Sequence, residues 1–206
     1  FMKQLFAVIA LTSAFLVPAN TVWAACTNNH AAKDLIQTTT KKVLDALATN
    51  AVDTESILKQ HVVPSFDWER MSKWALGKNK QGKSKWKKAT RDQRSRFIEA
   101  FESLLIRTYK ASLNEVAGID FEIKYLPVCG RDLTKRVKVR ARVIQGGNQY
   151  SVNFKMSKSK RTRNKWKAYD VVVEGVRLLL NYKNEFKPLT IEQAIAKMNS
   201  KNQNAQ

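Results

Sequence analysis

The spacing of apolar residues divides this chain into a helical first half and a stranded second half. From Asn29 to Ala48, the residues Ala32, Leu35, Ile36, Val43, Leu44 and Leu47 fall at spacings that share one face of a helix. A second, short helix is expected from Asp53 to His61, stopping before Val63-Pro64 because a residue ahead of proline is driven out of helical backbone. A third begins with Asp67 as its N-cap, turns Trp68, Met71 and Ala75 inward and ends at Gly77. Residues 78–88, KNKQGKSKWKK, carry six lysines and one glycine and read as a solvated loop. Thr90 and Gln93 then form a capping box. Behind it Phe97, Phe101, Leu104, Leu105, Thr108 and Leu113 make the strongest helical period in the chain, ending before Gly118.

After Gly118 the period changes to two. Ile119, Phe121, Ile123 and Tyr125 alternate with Asp120, Glu122 and Lys124. Val137, Val139, Ala141 and Val143 alternate with Lys138, Arg140 and Arg142. Gly146-Gly147-Asn148 is a turn, followed by Tyr150, Val152, Phe154 and Met156 in the same alternation. The basic run 158–167, KSKRTRNKWK, links this strand to a fourth, WKAYDVVVE. A closing helix is expected near Ile191 to Met198. The prediction is an α+β fold, with N-terminal helices packed on one face of a four-stranded antiparallel sheet that is apolar on that face and charged on the other. There is no internal repeat and no linker.

The beginning of the chain has a different character. Residues 2–24 have a basic start at Lys3, an apolar run from Leu5 to Val17 and a Val22-x-Ala24 exit site, the three parts of an export signal. The expected organisation is a signal peptide over 1–24 with cleavage after Ala24, then one domain over 25–206 with its core at about 28–200. Cys26 and Cys129 are the only cysteines. In an oxidising compartment they could pair across about 100 residues, a closure worth up to about 4.7 kcal/mol in the chain-entropy model. Cys26 would then lie at a new N-terminus prone to fraying, so two free thiols account for the pair at least equally well.

Charge narrows the function classes. The formal net charge is +20, which attracts polyanions but says nothing about fold. Single-strand nucleic-acid binders interleave exposed aromatics with their basic residues. Here Phe121, Tyr125, Tyr150 and Phe154 alternate onto the apolar face, away from Lys138, Arg140 and Arg142, so nucleic acid is the alternative rather than the expected partner. Enzyme chemistry has little to stand on. His30 and His61 lack metal-helix spacing and are expected as surface residues, and there is no CxxC pair, nucleophile elbow or P-loop. Asp170 and Glu174 share a strand face, but neighbouring Lys and Arg make them a neutralised structural pair. No catalytic residue and no metal ligand is expected.

Two stretches do carry a resemblance. FDWERMSKWALGK with ATRDQRSRFIEAFESLLIRTYKASL, and WKAYDVVVEGVRLLLNYKNEF, resemble the MlaC family of periplasmic phospholipid-binding (toluene-tolerance) proteins. The matching features are Leu76-Gly77 at a helix end, Ala89, Thr90, Gln93 and Arg94 at a helix start, Thr108-Tyr109, and Trp166, Tyr169 and Asp170 leading into Glu174-Gly175-Val176. Arg177 stands where the family usually has Ser, and the basic insertion 78–88 is longer than expected. The resemblance implies a soluble, monomeric periplasmic carrier without a cofactor, whose ligand is phospholipid. It would shuttle lipid between outer and inner membranes, maintaining outer-membrane lipid asymmetry. The implied partners are an inner-membrane ABC transporter with an MCE-domain subunit and an outer-membrane lipoprotein–porin complex. A hopanoid or other polycyclic lipid is the nearest alternative cargo.

An apolar cavity would be lined by the inward stripe of the long helix and the apolar sheet face: Phe97, Phe101, Leu105, Tyr109, Val139, Phe154, Tyr169, Val171 and Val173. The same residues would equally fill an ordinary core, because periodicity identifies a face and not what covers it. Lys160, Arg161 and Arg163 in the basic run are the candidates for transient docking on anionic membranes or acidic partners. A merely solvated loop accounts for them equally well.

Overall fold

The computed structural model describes residues 25–49, 53–116, 119–130 and 132–203. The signal expected over 1–24 and the Gly118 helix stop lie outside the described residues. The chain begins with β1 (Ala25–Thr27), α1 (Ala31–Thr49) and α2 (Thr54–Ile57). From α2 the backbone continues as a π turn over 58–62 and a 3-10 turn over 63–65. Next come α3 (Trp68–Leu76), α4 (Lys85–Lys88) and α5 (Arg91–Val116). The strands follow as β2 (Glu122–Tyr125), β3 (Val128–Gly130), β4 (Arg136–Gln145), β5 (Asn148–Ser157), β6 (Lys167–Val173) and β7 (Val176–Arg177). Then α6 (Leu178–Phe186) and α7 (Ile191–Gln203) close the chain.

The helix starts follow local chemistry. Asp67 accepts from the Arg70 N–H at 3.1 Å and caps α3, while Gly77 ends it with φ +68°. At the head of α5 the Gln93 N–H donates to Thr90 Oγ1 at 3.1 Å, and the Thr90 N–H donates to Gln93 Oε1 at 3.0 Å. Thr190 and Gln193 repeat this box at the head of α7. Glu192 ties the two starts together, accepting from Gln93 Nε2 at 3.0 Å and from Arg96.

The α+β class and the antiparallel sheet are as expected, but the sheet has additional short strands. Its order is β1-β3-β4-β5-β6-β7, with β2 pairing β4 beside this path. Gly146 and Gly147 form the β4–β5 turn with φ of 53° and 79°, the left-handed backbone that two-residue hairpins require. The register pairs Val137 with Met156, Val139 with Phe154, Ala141 with Val152 and Val143 with Tyr150, so the predicted apolar face exists. The choice between thiols and a bridge at Cys26 and Cys129 is also resolved. They sit opposite each other in β1 and β3 and form a disulfide across 103 residues. The bridge holds a three-residue strand that would otherwise fray.

Three expectations are corrected. Residues 78–88 are a solvated loop only in part: 80–83 are exposed, but Lys78 and Ser84 form a β-bridge, Trp86 is buried, and Lys85 Nζ donates to the carbonyls of Phe186, Lys187 and Leu189 at 2.7–2.9 Å. Lysine-rich sequence reads as solvent-facing, yet a lysine stem with three donors also suits the orphan carbonyls at the end of α6. The second correction is α6 itself, which was not expected. Its Arg177 N-cap makes no side-chain capping bond, so the usual signal is missing. Instead the fully buried Asp170 accepts from the Leu179 N–H at 3.3 Å and from Arg177 at 2.9 and 3.0 Å. The third is His30, which is half-buried at the start of α1 rather than free at the surface. Its Nδ1 accepts from the Ala32 N–H, and its Nε2 contacts the Leu133 carbonyl at 2.9 Å.

Candidate functional site

Among the described residues the fully buried apolar side chains fall into three clusters, the first two joined through half-buried Phe66. A helical cluster gathers Met71, Leu76, Trp86, Phe97, Phe101 and Phe186 with others from α3 to α7. A sheet-side cluster joins Ala32 and Ile36 of α1 to Val128, Val137, Val139, Met156 and Ala168. A third joins Val43 and Leu47 of α1 to Ile57 of α2. A domain of this size ordinarily shows one contiguous core with small satellites.

The sheet face is unevenly covered. Val137, Val139, Met156 and Ala168, at the end of the inner face that α1 covers, are at most 6% exposed. Further along the same face Val152, Phe154 and Val171 are only half-buried, and Tyr150 and Val173 are 42% and 47% exposed. Pairing of Phe154 with Val171 and of Val152 with Val173 keeps all four on that face. On α5, Leu105 is buried whereas Tyr109, one turn on, is 43% exposed.

The predicted lining therefore divides. Phe97 and Phe101 are fully buried and pack with Phe186 at ring-centroid distances of 5.7 and 6.1 Å. They fill the helical core, and Leu105 belongs to the same cluster. Val139 is also fully buried, in the sheet-side cluster. Tyr169 leaves the sheet face because the β5–β6 register shifts beside it, between Lys155 and Met156. A bulge reverses the direction of the side chain it displaces. The Tyr169 ring lies under the Arg70 guanidinium at 3.7 Å and edge-on to Trp74 at 5.5 Å. Tyr109 and Val173 are exposed, Val171 is half-buried, and half-buried Phe154 packs at the edge of the sheet-side cluster. Val152 and Tyr150 join them, signalled only by the strand alternation they share with Phe154.

Two tyrosines stand beside this face. Burial pushes the Tyr109 phenol above its ordinary range, and neighbouring Tyr182 adds to the effect. Burial also raises Tyr125, against the lowering influence of a hydrogen bond with Thr40. Both hydroxyls stay uncharged at neutral pH. Among the described residues no group of three or more His, Cys, Asp or Glu could hold a metal ion.

The basic run is more structured than its composition suggests. Arg161 pairs with buried Asp67 and, at 3.3 Å, with Glu69, so it is committed to the start of α3. Trp166 stacks edge-on against His30 at 5.1 Å, and Lys158 lies over its ring. Lys160 and Arg163 are exposed.

Comparison with known proteins places this architecture. A search of curated proteins finds no match. Among solved structures, the phospholipid-binding protein from Ralstonia solanacearum in complex with a phospholipid aligns with a TM-score of 0.73 and 25% identity. The alignment covers 86% of this chain and 99% of that one. The model of the MlaC protein family matches residues 33–201, and with that match over most of its length the chain belongs to the MlaC family.

Proposed function

We propose that this protein is a phospholipid carrier, a binding protein rather than an enzyme, that holds acyl chains against the less deeply buried half of the inner sheet face. The observation that carries the reading is the uneven cover of the inner sheet face: Phe154 and Val171 are only half-buried and Val173 is exposed, on the face where Val139 and Met156 are fully buried. A two-chain lipid fits such a surface. At about 0.8 kcal/mol per CH₂, stranding two acyl chains in water costs more than about 20 kcal/mol, so crossing an aqueous space requires a dry sleeve. The alignment to a structure containing a phospholipid supports the same cargo.

The carrier is exported to the periplasm and moves lipid between an outer-membrane lipoprotein–porin complex and an inner-membrane ABC transporter with an MCE-domain subunit, maintaining outer-membrane lipid asymmetry. The Cys26–Cys129 disulfide supports an oxidising compartment, since such bridges are rare in reducing cytosol. Native mass spectrometry of the full chain recovered from a periplasmic extract tests the cargo. The expected result is a one-to-one adduct with the mass and fragmentation of a two-chain phospholipid. Bare protein throughout, or an adduct that fragments as a polycyclic lipid, would overturn it.

A further inference from the structure

A concave site, separate from the inner sheet face, opens between α3, α4 and the start of α6, with a volume of about 460 Å³. Its rim is formed by Lys73, Lys78, Lys87, Lys183 and Arg177, and its floor by Trp74, Leu179 and Leu180. Three features make this more than part of a basic surface.

The first is charge. Among the described residues none of the four rim lysines has a carboxylate within ion-pair distance, whereas Lys41, Lys59, Lys197 and Lys201 each do. In a chain of net charge +20 a solitary unpaired lysine is ordinary. Four around one concave opening focus a positive field into it. The second is orientation. Asp170 is fully buried and grips Arg177 through Nε and Nη2 at 3.0 and 2.9 Å, fixing the guanidinium at the rim. The Lys183 stem lies across the end of α3, where a Cβ added to Gly77 would meet Lys183 Cγ at 3.5 Å. The third is the apolar floor. Trp74 and Leu180 are 40% and 43% exposed, and Trp74 is held edge-on to Tyr169.

We infer that this site docks an acidic segment of a partner protein, an apolar side chain entering the floor while flanking carboxylates meet the lysine rim. A single phosphate is a poorer fit. Asp170 already occupies two of the five Arg177 donors and offsets its charge, which weakens its pull on a lone phosphate. The lysines also come from separate segments around the opening and so suit several spaced carboxylates. A flat lipid surface would meet the rim and leave the floor unfilled. An apolar anchor inside a polar rim is the common anatomy of a protein–protein contact.

The test uses the full mature chain and a short fluorescein-labelled peptide in which one leucine is flanked on both sides by glutamates. Anisotropy gives its Kd for the unmodified protein, for Lys73→Glu with Lys183→Glu, and for Lys138→Glu with Arg142→Glu on the outer sheet face, which makes the same change in net charge. The rim pair is expected to weaken binding about ten-fold or more, and the sheet pair by less than about two-fold. Replacing the peptide leucine by serine, or Leu180→Ser in the protein, should also weaken it. No measurable binding, equal weakening by both charge pairs, or indifference to the leucine overturns the proposal. A parallel arm with phosphatidylglycerol vesicles identifies a membrane occupant: vesicle binding lost in the rim variant while peptide binding is kept also overturns it. Bound phospholipid, measured in the same samples, should not differ among the variants, so failure here is separable from failure of the carrier reading.

Discussion

The helical cluster and the open half of the sheet face are built from similar residues and end in opposite states. In the cluster, Phe97, Phe101 and Phe186 are fully buried, with centroids 5.7–6.1 Å apart. On the sheet, Phe154 and Val171 are only half-buried, although they lie on the same face as fully buried Val139 and Met156. The difference lies in the neighbours. Rings from α5 and α6 fill each other's space, and Trp86 from α4 closes the group edge-on to Phe97 at 6.3 Å. On the sheet, α1 covers one end of the face and leaves the other less deeply buried. A close-packed interior belongs to the fold, whereas an unfilled continuation of it is available to a ligand.

Truncation experiments can break that contrast. Phe101→Ala should cost about 3–5 kcal/mol in urea unfolding, the usual loss for a ring removed from a packed core. A loss below about 1 kcal/mol would mean that the helical cluster is itself loosely filled. Val171→Glu should abolish lipid adducts in native mass spectra while circular dichroism stays native, because water can reach a charge at a half-buried position once the ligand has gone. Unfolding instead would show a packed site that cannot tolerate an unpaired charge. Phe154→Ala should lower lipid occupancy but cost the ligand-free protein only about 1 kcal/mol, since its ring has fewer protein atoms to lose.

The smallest effect should come from the paired starts of α5 and α7. Hydrogen bonds from Arg96, and then from Gln93, hold Glu192 below its ordinary range. Because the folded value is depressed, this contribution is complete above the unfolded glutamate value of about 4.3 and is lost as pH falls through the lower folded value. Unfolding curves from pH 6 to pH 3 should therefore show a slightly shallower acid loss in Glu192→Gln than in the unmodified protein. Identical slopes would mean that solvent screens the contact completely.

Much of the scaffold was legible because its signals are local. Asp67 and Gly77 bracket α3, Thr90 and Gln93 start α5, and Gly146-Gly147 turns β4 into β5. The site was less legible. Nine apolar positions were expected to line one cavity, and the face of each follows from its spacing. Phe97 and Phe101 met Phe186 on a helix that the pattern did not reveal, because Leu178-Leu179-Leu180 continues an apolar run and lacks a side-chain cap. Tyr169 was redirected by a register shift that alternation alone does not encode.

The amino-acid order by itself determined which side of each element is apolar, where the main helices begin, and the antiparallel pairing of β4 with β5. These depend on contacts a few residues apart or on a two-residue turn. The tertiary structure decided which apolar faces are filled and which stay open, that Cys26 meets Cys129, that Lys85 closes the end of α6, and that four lysines ring one opening. Each of these brings together groups distant in sequence, and side-chain spacing along a chain carries no record of what will stand opposite.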